Sequence, residues 1–256
     1  MKKYMLLTAF ITLFMSIALF TGCASNIDKG LHYNYILVHG ATGGGWDWKH
    51  VEKLLIADNH SVYRPTLTGL GEKVHLANSD INLTTHINDI VNLILFEELD
   101  NVILVGHSYG GMVITGVMDR IPERIAYVIF LDAAVPDDGM SELDTNGPLP
   151  SNFKVIDGLV YPPWIDSKKP YPREVPQSLK TFTEPVSFKN PEAKKLPVTF
   201  VAYVLPDEII ERKEEDSSWK RAEERGWEII TFNSDHNAQR SHPAELVELL
   251  KATPKL

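Results

Sequence analysis

The sequence predicts an α/β fold: a mostly parallel sheet with helices on both faces and one long insertion. Two observations carry this. From residue 33 onward, apolar runs of strand length alternate with stretches of helical spacing, the pattern of strands joined by crossover helices. Runs such as "NVILVG" are continuously apolar, as strands buried on both faces are. The residues with chemical potential then fall just after strand ends, where ligands bind in such sheets.

The elements follow in order. "YNYILVHG" is a buried strand ending in a glycine turn. "GWDWKHVEKLLIADN" has helical spacing, with Trp48, Val51, Leu54 and Leu55 on one face. "HSVYRPTL" is a strand, and "TLTGLGEKVHL" a loop punctuated by Gly69 and Gly71. "NLTTHINDIVNLILFEEL" is a long helix, "NVILVG" a strand, "GMVITGVMDRIPE" a helix ending near Pro122, and "IAYVIFLDAA" a strand. From about residue 136 to 195 the chain turns rich in Pro, Asp and aromatics, with too many large apolar residues for a solvated linker. Alternation resumes with the strand "PVTFVAYVL", the helix "DSSWKRAEERG", the strand "WEIITF" and the helix "HPAELVELLKA".

The 256 residues, 44% hydrophobic and 23% charged, are enough for one sizeable core. The net charge is −9, and basic residues cluster no further than pairs such as Lys2-Lys3 and Lys194-Lys195. That balance disfavours nucleic acid as a partner.

At the N-terminus, Lys2 and Lys3 precede the apolar run Tyr4 to Phe20, which reads as a secretory signal over 1–22. It ends in "LFTGCAS", which resembles a bacterial lipobox with Cys23 as the acylated first residue, although Phe20 stands where leucine is usual. A plain signal peptide and an uncleaved anchor are the alternatives. The expectation is an exported protein of the bacterial cell envelope, lipid-anchored through Cys23, with 23–32 a tether and 33–256 the folded domain. Cys23 is the single cysteine, so an intrachain disulfide is excluded.

"GHSYGG", Gly106 to Gly111, lies between a strand and a helix. Glycine at ~7% of residues puts a Gly-x-Ser-x-Gly in roughly one random chain in ten of this length. The strand-to-helix setting is what makes it a nucleophile elbow presenting Ser108. A serine hydroxyl needs a base, and the base an orienting acid, in the chain order Ser, acid, His. Asp207 follows "VTFVAYVL" and His236 follows "WEIITF", both at strand ends that converge on Ser108. Asp132, ending "IFLD", and Glu208 stay open as the acid; Asp235 is too close to His236 in sequence. The oxyanion needs backbone donors, and "VHGATGGGW" with the elbow supplies the amides of Ala41 and Tyr109. That glycine-rich loop lacks the Gly-x-Gly-x-x-Gly order and the lysine of a phosphate-binding loop. His75, in "GLGEKVHL", has no second ligand at metal-binding spacing in its loop.

Together, His39-Gly40-Ala41 with Trp46, the "GHSYGG" elbow, "TLTGLGE" and "DHNAQRSHPAEL" resemble the α/β-hydrolase superfamily. More narrowly, they resemble the branch of plant methylesterases, hydroxynitrile lyases and bacterial pyrethroid-hydrolase-type esterases. In the insertion, "VPQSLKTFTEPV" resembles a cap segment of the bacterial members. The resemblance spans nearly all of 33–251. It implies a triad on Ser108, Asp207 and His236, oxyanion donors at Ala41 and Tyr109, and no metal or organic cofactor. Gly40 and Asn237 stand where hydroxynitrile lyases have threonine and lysine, which argues against cyanohydrin cleavage. A serine at 108 argues against epoxide hydrolases and dehalogenases, which use aspartate there. The expected activity is cleavage of small apolar carboxylic esters through an acyl-enzyme on Ser108, with the 136–195 cap lending Phe153, Tyr161, Trp164, Leu179 and Phe182 to the pocket. A lactonase, amidase or thioesterase would use the same groups, and a non-catalytic small-molecule binding protein the same cavity.

Overall fold

The computed structural model describes residues 32–205 and 214–254. The signal and tether, including Cys23, lie outside the described residues, as do Asp207 and Glu208. Six strands, β1 (Asn34–Val38), β2 (Ser61–Tyr63), β3 (Val102–His107), β4 (Ile125–Leu131), β8 (Val198–Val204) and β9 (Glu228–Asn233), form one sheet. Its order is β2-β1-β3-β4-β8-β9, and every pairing is parallel. Ser108, Asp132 and His236 all follow the carboxyl ends of these strands.

The helices are α1 (Lys49–Ala57), α2 (Leu83–Phe96), α3 (Gly110–Arg120), α4 (Glu142–Asn146), α5 (Lys180–Thr183), α6 (Ser217–Glu224), α7 (Ala238–Ser241) and α8 (Pro243–Ala252). Alternate strand residues feed two cores. Ile36, Leu104, Val128 and Phe130 pack with Ile87 and Ile90 of α2 and Val113 of α3. Tyr35, Ile103, Val105 and Ile129 pack on the other face with Leu55 of α1 and Leu246 of α8. This explains the uninterrupted apolar runs: both faces of each central strand are covered, and each buried aliphatic side chain stabilises by about 1.5–3 kcal/mol.

Local chemistry refines several boundaries. The helix expected from residue 45 begins as a 3-10 turn, Gly45–Trp48, before α1. The glycine-punctuated loop holds a 3-10 turn at Gly71–Leu76. The β2 strand stops at Tyr63, short of Pro65, whose ring nitrogen cannot donate to the ladder. The start of α2 is fixed by a reciprocal cap between Asn82 and Thr85.

Between β4 and β8 the chain builds α4, α5 and a three-stranded antiparallel sheet of β5 (Lys154–Ile156), β6 (Leu159–Tyr161) and β7 (Gln177–Ser178). The β5–β6 hairpin turns through Asp157 and Gly158, with φ of 51° and 77°. Positive φ at both positions is what a two-residue turn needs to match strand twist.

Candidate active site

The turn after β3 places Ser108 at φ 53°, a left-handed conformation that costs a non-glycine residue energy and persists only where the surroundings enforce it. The glycines behind it allow the enforcement. A Cβ at Gly110 would lie 2.9 Å from the Val38 carbonyl oxygen, and one at Gly111 would collide with the Ala134 carbonyl. The α3 helix starts at Gly110, so its N-terminal dipole points at the turn.

His236 sits on the loop after β9. Its Nε2 is 3.0 Å from Ser108 Oγ and accepts the hydroxyl proton, while its Nδ1 donates to Asp132 Oδ2 over 2.6 Å. Among the described residues the acid on Nδ1 is Asp132, one of the carboxylates the sequence left open; Asp207 and Glu208 lie outside the described residues. Asp132 follows β4, the immediate neighbour of β3, and its φ of 43° turns the carboxylate across the sheet end. The Tyr203 amide donates to its Oδ1 over 3.4 Å. The Asp132 side chain is 15% exposed and that of His236 51%, so the acid is shielded while the imidazole is open to water.

Three buried histidines hold the surrounding loops. His107 donates from Nε2 to the His236 carbonyl over 2.6 Å. Burial, and then the nearby His236, lower its pKa to about 3, so it stays neutral beside a ring 4.7 Å away. His39 donates from Nδ1 to the Gly40 carbonyl over 2.8 Å and accepts from the Leu67 amide at Nε2 over 3.1 Å. His86 accepts from the Tyr109 hydroxyl over 2.9 Å and donates to the Thr68 carbonyl over 3.0 Å. Burial lowers both to about 4. The Ala41 and Tyr109 amides thus belong to segments held by neutral imidazoles, and neither amide donates to a group among the described residues.

Two cavities meet at Ser108 and His236. One, of about 450 Å³, is lined by Ala41, Phe153, Trp164, Phe182 and Arg240 among others. The second, of about 430 Å³, lies on the Asp132 side, against Asn146, Phe200 and Trp219. Of the five expected cap residues, Phe153, Trp164 and Phe182 line the first cavity. Tyr161 and Leu179 line neither. On β6 the inward residue is Val160, fully buried, so the period of two turns Tyr161 away.

A charged edge of the first cavity escaped the sequence reading. Arg240 of α7 bonds Asp47 over 2.5 Å and Glu174 over 2.8 Å and lies over the Trp46 ring. Burial raises Asp47 to about 6 against the pull of Arg240. The signal was Arg240 itself, an arginine three residues past the histidine loop.

A profile described as the alpha/beta hydrolase family matches residues 35–249. A carbendazim-hydrolysing esterase of Nocardioides sp. (strain SG-4G) is 35% identical over 252 residues, spanning 86% of this chain and 98% of that protein. Methylesterase 1 of Arabidopsis thaliana is 35% identical over 115 residues, 41% of this chain and 40% of that protein. Among solved structures, an extracellular α/β-hydrolase from a Paenibacillus species superposes with a TM-score of 0.70 at 21% identity, over 88% of this chain and 100% of that one. The pyrethroid hydrolase PytH gives 0.70 at 18% identity, over 86% and 97%. The chain belongs to the alpha/beta hydrolase family, among its carboxylesterase-type hydrolases.

Proposed function

We propose that the protein is a serine carboxylesterase acting on small apolar esters. The observation that carries the reading is the unbroken relay Ser108 Oγ, His236 Nε2, His236 Nδ1, Asp132 Oδ2, at 3.0 and 2.6 Å. His236 takes the hydroxyl proton as Ser108 attacks the ester carbonyl. The Ala41 and Tyr109 amides receive the oxyanion. His236 returns the proton to the alcohol as the carbon–oxygen bond breaks. Water entering by the exposed edge of His236 then attacks the acyl-enzyme, with the same imidazole as base. Asp132 keeps Nδ1 protonated and favours the imidazolium. The relatives named as esterases support this substrate class. Phe153, Trp164 and Phe182 supply apolar wall to one side of the reacting carbon.

The apolar run after Lys2-Lys3 and the lipobox-like "LFTGCAS" support a cell-envelope location for this activity, with a lipid on Cys23 as the tether. A mass spectrum of the protein purified from bacterial membranes tests this: a diacylglyceryl mass on a peptide beginning at Cys23 is expected, and an unmodified Cys23 would contradict it.

Catalysis is tested with p-nitrophenyl esters from acetate to octanoate, using the domain from Ser25 and its Ser108→Ala variant. Turnover that vanishes in the variant is expected. Equal turnover by both would sink the reading.

A further inference from the structure

The cap is bonded directly to the loop that carries one oxyanion donor. Thr42, next to Ala41, is 1% exposed and sits at φ 60°, a conformation a β-branched residue adopts only under constraint. Its hydroxyl has no partner among the described residues, so its side chain does not supply that constraint. Both backbone polar groups do. The Thr42 amide donates to Gln177 Oε1 over 2.8 Å. The Thr42 carbonyl accepts from the Val175 amide over 2.9 Å.

Gln177 is fixed in turn. It is 1% exposed, and its Nε2 donates to Thr181 Oγ1 over 2.7 Å, which donates to the Ser178 carbonyl over 2.7 Å. The amide is thereby oriented, with its oxygen towards Thr42. One residue before Val175, Glu174 ties the same cap segment to Arg240 and, through it, to Asp47.

From this arrangement we infer that Gln177 is a positioning residue for catalysis, holding the Ala41 amide in its oxyanion-binding orientation through Thr42. The inference rests on the acyl-enzyme reading above. It makes the Val175–Thr181 stretch a fixed wall of the oxyanion hole, whereas the aromatic part of the cap shapes the pocket. The Ala41 donor acts on the tetrahedral state more than on bound ester, so losing its alignment lowers kcat and leaves KM nearly unchanged.

The test compares wild type, Gln177→Leu, Gln177→Glu and Thr181→Val on p-nitrophenyl butyrate, with inhibition by an aryl trifluoromethyl ketone, which forms a tetrahedral adduct with the serine. Leu fills the space without an acceptor; Glu keeps an acceptor oxygen for the Thr42 amide. Removing an oxyanion donor outright costs ~10²–10³ in turnover, so misaligning one is expected to cost about 10–100-fold. The expected result is that loss in kcat for Q177L, KM within about threefold, a matching loss of ketone affinity, and Q177E within about fivefold of wild type. Should Q177L fail to fold, Thr181→Val, which frees the Gln177 amide without removing it, is expected to show a smaller kcat loss at unchanged KM. Wild-type kcat and ketone affinity in Q177L, or equal impairment of Q177L and Q177E, would overturn the inference. Wild type that neither turns over the ester nor loses a fluorophosphonate label in Ser108→Ala would overturn the acyl-enzyme reading itself.

Discussion

The two sides of the active site are built by different means. On the core side, Ser108, Asp132 and His236 stand just past the carboxyl ends of β3, β4 and β9 of one parallel sheet, backed by His107 at 3% exposure and Met112 at 0%. On the cap side, Phe153 and Trp164 meet edge-to-face at 5.2 Å beside a small sheet whose strand β5 is exposed along its length. Trp164 is 48% exposed and Val155 48%. The contrast separates two tasks. Catalytic atoms need fixed separations, which packing between strand ends and helices supplies. Pocket walls need only shape and apolar area, which a thin layer can offer. The 175–181 segment crosses the divide, since it belongs to the cap but bonds to the core loop.

The sharpest ways to break this contrast lie on the core side. Ser108→Ala or His236→Ala is expected to lower kcat by roughly 10⁴-fold or more, read with p-nitrophenyl esters. Asp132→Asn, which leaves His236 without an anionic partner on Nδ1, is expected to cost about 10³–10⁴-fold in kcat. Asp207→Asn in the same assay is expected to stay within about threefold. The reverse ranking would show that the acid of the working enzyme comes from the end of β8. On the cap side, Trp164→Ala or Phe153→Ala is expected to raise KM about 3–10-fold and shift the preferred acyl length, with kcat little changed. A collapse of kcat in either would remove the distinction between the two sides.

A last expectation concerns stability against pH rather than turnover. His39, His86 and His107 have folded pKa values of about 4, 4 and 3, lowered first by burial, against ~6.5 unfolded. As pH falls below about 6.5 the unfolded chain takes up protons that the folded chain refuses, so stability drops until about pH 4. The slope is on the order of 1 kcal/mol per pH unit for each ring. Asp47 works in the opposite sense. Its folded pKa of about 6 lies above the unfolded value, so its contribution is present below ~3.9 and lost as pH rises through 6. Three histidines outweigh one aspartate, and melting temperature is expected to fall from pH 7 to pH 4.5. A flat profile would mean that these rings titrate freely in the folded chain.

Much of the core side was legible because its signals are local. A strand running into Gly106-His107-Ser108 and a helix starting at Gly110 are written in consecutive residues. The same holds for His236 after the last strand. The acid was ambiguous for a physical reason: Asp132 and Asp207 both follow apolar strands in the sequence, and which carboxylate meets the loop after β9 is a long-range fact of the sheet that consecutive residues do not carry. The cap was read more coarsely. Its aromatics marked an apolar insertion, but their facing depends on a hairpin register too short to show periodicity, so Tyr161 and Leu179 could not be told from Trp164 and Phe182. Gln177 gave no signal, since its amide oxygen is meaningful only through Thr42, 135 residues away.

The most direct test of the central claim is to trap the intermediate. Wild-type domain mixed with p-nitrophenyl butyrate is quenched in acid within the first turnover, digested and read by mass spectrometry. The account predicts one butyryl group on the peptide containing Ser108, rising with a p-nitrophenol burst and enriched over wild type in Asp132→Asn if deacylation is slowed more than acylation. Steady turnover with butyrate on no peptide, or on a residue other than Ser108, would contradict it.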